Sequence, residues 1–321
     1  MMDVLCLFPR VSSKLNCQLL LSLSLTTQLI MSTTAYAESS VAESAIVTVD
    51  KSIKPIQEFP DVLDQTIRKI HASSKYDNFI LFVHGRGDHP EKAFKKALIK
   101  NLEKNYSAKV IMFHWPSKSK PWEFPEEKAR ASGKDLMTVI EGIKNYKRNH
   151  PEDTAGIKFS LLTHSMGSLV LEEALGYSSL QQNEIIFDTI MINSAASSAQ
   201  THAAWIEKIT FSDQVFISIN QNDSILRAAG VLLGDKRLGK GLTSELGNDF
   251  DLANNSKYIE VSNSELNHRY YLYNDVKKYP HIMDFFTQVL NGIPPRLDEE
   301  AGIERVDRGQ IYVFRPLELT Y

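Results

Sequence analysis

The chain has almost no cysteine. Its two, Cys6 and Cys17, both fall within the first 37 of 321 residues. The rest therefore carries no disulfide framework and no thiol to mispair in an oxidising compartment. Charge of either sign is not in excess: 36 basic residues face 39 acidic ones, a net −3. That leaves no basic footprint for nucleic acid. Neither G-x-x-x-x-G-K-[ST] nor a strand-linked G-x-G-x-x-G occurs, so no nucleotide cofactor is expected. No H-E-x-x-H or paired Cys/His spacing marks a catalytic metal. Internal repeats and low-complexity segments are absent as well. With 43% hydrophobic residues, what remains is enough to bury a proper core.

The longest apolar run lies near the start. Arg10 and Lys14 precede QLLLSLSLTTQLIM (Gln18–Met31), and an A-x-A site follows at Ala35-Tyr36-Ala37. The run is interrupted by Ser, Thr and Gln and falls short of a membrane span. The pattern predicts a secretory leader over residues 1–37, cleaved to give a periplasmic or secreted protein.

Beyond it, short β-branched apolar runs alternate with helical patterns. NFILFV (Asn78–Val83), KVIMFHW (Lys109–Trp115), KFSLLT (Lys158–Thr163), TIMINS (Thr189–Ser194), QVFISIN (Gln214–Asn220) and KYIEVS (Lys257–Ser262) read as six strands. Near-continuous apolar runs suit strands covered on both faces. AIVTV (Ala45–Val49) is an earlier candidate for the edge. Phe94, Leu98 and Leu102 predict one helix between the first two strands. Leu136, Val139, Ile140 and Ile143 predict another, and Leu169, Leu171, Ala174 and Leu175 a third. The alternation specifies a doubly wound, mostly parallel α/β sheet flanked by helices, with functional groups at the carboxyl ends of the strands. One domain is expected over 38–294, followed by a charged tail, 295–321, whose IYVF run either pairs as an edge strand or docks on the domain.

The informative stretch is FSLLTHSMGSLVLEEAL (Phe159–Leu175). An apolar strand ends at Thr163 and an amphipathic helix starts after Ser165, so the chain turns at a small-x-Ser-x-Gly corner. That is the setting of a nucleophile elbow, although Thr163 stands where the strict motif has Gly. A serine hydroxyl needs a base to remove its proton and a third group to orient that base. These follow in the order Ser, then Asp or Glu, then His. Asp223 lies two residues past a strand end, whereas Asp188 and Asp213 precede their strands. The same position also suits Asp223 as a helix N-cap. His202 comes too early in the order; His268 follows the last strand and is the expected base. His281, at the start of the last helical pattern, is the alternative. An oxyanion hole would use the backbone N–H groups of Met166 and of Arg86 in FVHGRGDHP. The Arg86 side chain is expected to pair with Asp88 or to be solvated.

With these pieces the chain resembles the α/β-hydrolase superfamily of serine esterases and lipases. It is similar in particular to a little-characterised bacterial branch with a strand–W–P–S segment, here FHWPS (Phe113–Ser117). That branch carries a late D-x-x-L and H-x-Y-[YF], matched by Asp223–Leu226 and His268–Tyr271. The resemblance implies the fold and a hydrolytic Ser165–His268–Asp223 triad but supplies no substrate; a small-molecule or lipid ester, hydrolysed without cofactor, is the expectation. An acyltransferase using the same triad and a non-catalytic binding protein are the alternatives. The segment between Ala195 and Asp213 is short for a lid. It suggests an open site edged by Trp205, suited to soluble or medium-chain esters.

Overall fold

In a computed structural model, the structure describes residues 43–316 apart from 121–122, 179, 181–183, 244–246, 248, 273 and 307–308. The expected leader lies outside the described residues. Ten strands form one sheet: β1 (Ala45–Val47), β2 (Ile53–Pro55), β3 (Asn78–Val83), β4 (Ala108–His114), β5 (Lys158–His164), β6 (Phe187–Asn193), β7 (Ser212–Ile219), β8 (Ser256–Glu260), β9 (Ile303–Arg305) and β10 (Ile311–Phe314). Their spatial order is β2-β1-β4-β3-β5-β6-β7-β8-β10-β9. From β4 to β10 neighbours run parallel, while β1, β2 and β9 pair antiparallel.

The helices are α1 (Phe59–His71), α2 (Pro90–Lys95), α3 (Leu98–Tyr106), α4 (Glu126–Ala131), α5 (Gly133–Asn149), α6 (Pro151–Thr154), α7 (Gly167–Ala174), α8 (His202–Ile206), α9 (Ser224–Leu233) and α10 (Pro280–Leu290). Alternate residues of each strand feed two cores, because successive side chains point to opposite faces. Phe79, Leu81 and Val83 of β3 join one core with Leu63 of α1, Ile140 of α5, Leu169 of α7 and Trp205 of α8. Ile80 and Phe82 join the other with Leu102 of α3 and Phe285 of α10. Both faces are covered, which is why the central strands are apolar throughout.

One expectation changes. The single helix predicted between β3 and β4 is broken into α2 and α3 at Ala97, which has φ +51°. Leu98, Ile99 and Leu102 are thereby buried, while Phe94 is only partly covered. Past Pro294 the IYVF run pairs as a strand, one of its two expected places: β10 pairs parallel with β8, and β9 pairs with β10. Residues on both sides of Pro294 thus belong to one sheet.

Candidate active site

The chain runs from β3 outward to β4, then returns to place β5 on the other side of β3. A doubly wound sheet opens a crevice at such a reversal, at the carboxyl ends of its strands. The loops after β3 and β5 flank that crevice, and they carry Gly85–Asp88 and Ser165.

Ser165 adopts φ +53°, a region that costs a residue with a side chain. The corner is held from both sides. Ser165 N–H donates to the Asn193 carbonyl at 3.0 Å, and the Ser165 carbonyl accepts from Ala196 N–H at 3.1 Å. Gly167 is required by space: a Cβ there would stand 2.5 Å from the Val83 carbonyl oxygen. Ser165 is only 6% accessible. Part of the cover is Gly85, whose own added Cβ would come within 3.0 Å of Ser165 Cβ.

Asp223 bonds through both carboxylate oxygens. Its Oδ1 caps α9 by accepting from the N–H groups of Ile225 (3.0 Å) and Leu226 (2.9 Å). Its Oδ2 accepts from His268 Nδ1 at 2.7 Å. The cap fixes the carboxylate, and the fixed carboxylate fixes the imidazole with Nδ1 protonated and Nε2 available as a base. The His268 ring sits 4.7 Å, between ring centroids, from that of His164, the residue before Ser165. Ser194 Oγ donates to the His268 carbonyl at 3.0 Å. His281 is not in this group. It lies in the first turn of α10, its ring against Phe314 at 5.3 Å.

On the other side, Met166 is the N-cap residue of α7. N–H groups at a helix start have no intrahelical acceptor, which suits them to a developing anion. Arg86 follows Gly85 directly. His84 Nδ1 donates to the Gly85 carbonyl at 2.7 Å, and the opposite face of that same peptide is the Arg86 N–H. Burial pushes the His84 pKa down to about 4, so the ring is neutral and its Nε2 accepts from Trp115 N–H (3.3 Å) and His114 Nδ1 (3.0 Å). Trp115 stacks on His84 and returns its indole N–H to the His84 carbonyl at 2.7 Å. The F-H-W-P-S segment is thus a buttress for the loop after β3, a role its sequence does not reveal.

Other partners differ from expectation. The Arg86 guanidinium lies over Phe124 and donates to the Glu123 carbonyl at 2.8 Å, not to Asp88. Asp88 instead pairs with Arg269 at 2.9 Å, tying the loop after β3 to the residue that follows His268. Tyr270 donates to Ser218 Oγ (2.6 Å), which donates to Asn193 Oδ1 (2.9 Å), a buried polar chain under the elbow. Burial, with His268 and Arg269 nearby, holds the His164 pKa well below the usual imidazole range. Trp205 does not edge the site; it is buried. His202 is structural, bonded to the Ala199 carbonyl and the Tyr258 hydroxyl. Among the described residues no group of three His, Cys, Asp or Glu side chains is placed to hold a metal ion.

No curated protein matches the sequence. Among solved structures, a hyperthermophilic esterase from the archaeon Pyrobaculum calidifontis aligns over 73% of this chain and 91% of its own, with 8% identity and a TM-score of 0.39. Acyl-protein thioesterase 2 of Zea mays aligns over 68% and 96%, with 13% identity and a TM-score of 0.34. An esterase from the bacterial hormone-sensitive lipase family aligns over 67% and 77%, with 14% identity and a TM-score of 0.35. A family model described as alpha/beta hydrolase of unknown function (DUF900) matches residues 60–278. Covering more than half of the sequence, that match makes the chain a member of this α/β-hydrolase family.

Proposed function

We propose that the protein is a serine hydrolase that cleaves carboxylic esters through an acyl-enzyme intermediate. The observation that carries this reading is the Asp223 carboxylate, shared between the start of α9 and His268 Nδ1 at 2.7 Å, with the His268 ring 4.7 Å from that of His164, the residue before a serine held at φ +53°. A structural cap would need only the first of these bonds.

In this reading Ser165 Oγ attacks the ester carbonyl carbon while His268 Nε2 takes its proton. The tetrahedral oxyanion accepts from the Met166 and Arg86 N–H groups, each worth roughly 3 kcal/mol to the transition state. His268 then returns the proton to the departing alcohol oxygen, leaving the acyl group on Ser165. Water repeats the sequence and releases the acid. Asp223 keeps the imidazole in the required tautomer and stabilises the imidazolium. The buttressed Gly85 peptide supports the second donor by fixing where Arg86 N–H points. The predicted leader makes the periplasm or the exterior the place of action.

A fluorescent fluorophosphonate tests the assignment. Wild type and His281→Ala should label, whereas Ser165→Ala and His268→Ala should not. Labelling that persists without Ser165, or depends on His281, would remove the triad.

A further inference from the structure

The Asp88–Arg269 ion pair is not used by the ester chemistry, yet it joins the two halves of the candidate site. Asp88 stands two residues after Arg86, whose N–H is the expected oxyanion donor, and Arg269 directly follows His268, the expected base. Asp88 is 1% exposed, and its Oδ1 meets the Arg269 guanidinium at 2.9 Å. Its Oδ2 has no hydrogen-bond partner among the described residues. A buried carboxylate with one oxygen unmatched is a costly way to hold two loops together. Apolar side chains of similar size would often stabilise the fold as well or better. What the ion pair adds is a fixed length and direction, since a guanidinium presents its donors in a rigid planar fork.

Both ends of the pair are geared to the chemistry. On one side, Asp88 N–H donates to the Gly85 carbonyl at 3.4 Å, closing a four-residue turn in which Gly87 adopts φ +75°. That carbonyl belongs to the peptide whose opposite face is the Arg86 N–H, so a shift of Asp88 turns the donor. On the other side, the His268 carbonyl accepts from Ser194 Oγ, and the Arg269 carbonyl accepts from Leu272 N–H at 3.1 Å. Between these bonds Tyr270 is tied to Ser218, and Tyr271 packs on the His164 ring at 4.9 Å between centroids. Residues 268–272 are thus a second anchored turn, with the imidazole at its start.

We propose that Asp88 and Arg269 are positioning residues whose ion pair sets how far His268 stands from the Arg86 N–H donor. This rests on the esterase reading. A tetrahedral intermediate needs both groups at once, the donor at its oxyanion and the imidazole within reach of Ser165 Oγ and the leaving oxygen. Asp223 sets the tautomer and direction of the ring; Asp88 and Arg269 set the spacing between the two loops.

Steady-state kinetics on a 4-nitrophenyl ester, with thermal unfolding followed in parallel, decides it. Asp88→Asn and Arg269→Gln should each lower kcat by about 10- to 100-fold, the scale of a reacting group misplaced by an ångström or less, with KM nearly unchanged. The double variant should be no slower than the slower single one, because the two act as a unit. Arg269→Lys, which keeps the charge but not the fork, should fall between wild type and Arg269→Gln; should a variant without the pair fail to fold, full kcat in Arg269→Lys overturns the proposal. A lowered melting temperature with kcat retained makes the pair structural and overturns it. So does a rise in KM alone, which makes it a substrate contact, and so do additive losses in the double variant. A folded wild type that neither labels nor hydrolyses ends the esterase reading instead. The pair is then judged on the low-field Nδ1 proton of His268, the NMR signal that His268→Gln removes. Faster exchange of that proton with water in Asp88→Asn upholds placement of His268 by the pair; an unchanged rate overturns it.

Discussion

Ser165 shows how a single residue stores the geometry of a site. A side chain at φ +53° costs about 1–2 kcal/mol relative to glycine. Ser165→Ala keeps that strain and should leave the unfolding temperature within about 1 °C of wild type. Ser165→Gly releases it but loosens the unfolded chain by about 0.5–1 kcal/mol. The balance favours the glycine variant by roughly 2 °C in a protein this large. Calorimetry of the two variants checks it; identical values would mean the corner is not strained in solution. At this scale the pairing of Asp223 with His268 was legible in sequence, since strand ends and chain order point to both residues, with His281 left as the alternative. Their supports were not. His84 and Trp115 look like any buried aromatics until β3 and β4 lie side by side, and Asp88 meets Arg269 across 181 positions only through the sheet.

At the scale of elements, α7 is set against β3 by the missing side chain of Gly167. Backbone oxygen cannot rotate away from an added Cβ at 2.5 Å, so Gly167→Ala must push the helix off the strand. We expect a stability loss of about 1–3 kcal/mol. We also expect slower phosphonate labelling, because Ser165 and the Met166 N–H move with the helix. Urea unfolding and labelling rates together check this; an unchanged midpoint would mean α7 is not seated by that contact. The central strands were readable because two-sided burial writes itself as apolar runs. The break at Ala97 was not, since neither glycine nor proline marks it and the heptad-like pattern continues across it.

At the scale of the whole molecule, the last strands complete the sheet. Ile303 and Phe314 are 1% exposed and Ile311 is 8% exposed. Burying three such side chains contributes about 4–9 kcal/mol, comparable with the total stability of a typical domain, about 5–15 kcal/mol. A chain ending at Pro294 should therefore be insoluble or lack cooperative unfolding, with the β8 edge open to other chains. Recovery of a soluble, cooperatively melting truncation would refute this. The pairing of β10 with β8 also has a consequence in time. While the polypeptide is being synthesised, β8 emerges about 50 residues before its outer partner, so the nascent sheet carries an unfinished border until β10 has been made. Completion of the sheet thus waits for β10, and the unfinished border is where a chaperone would be needed most.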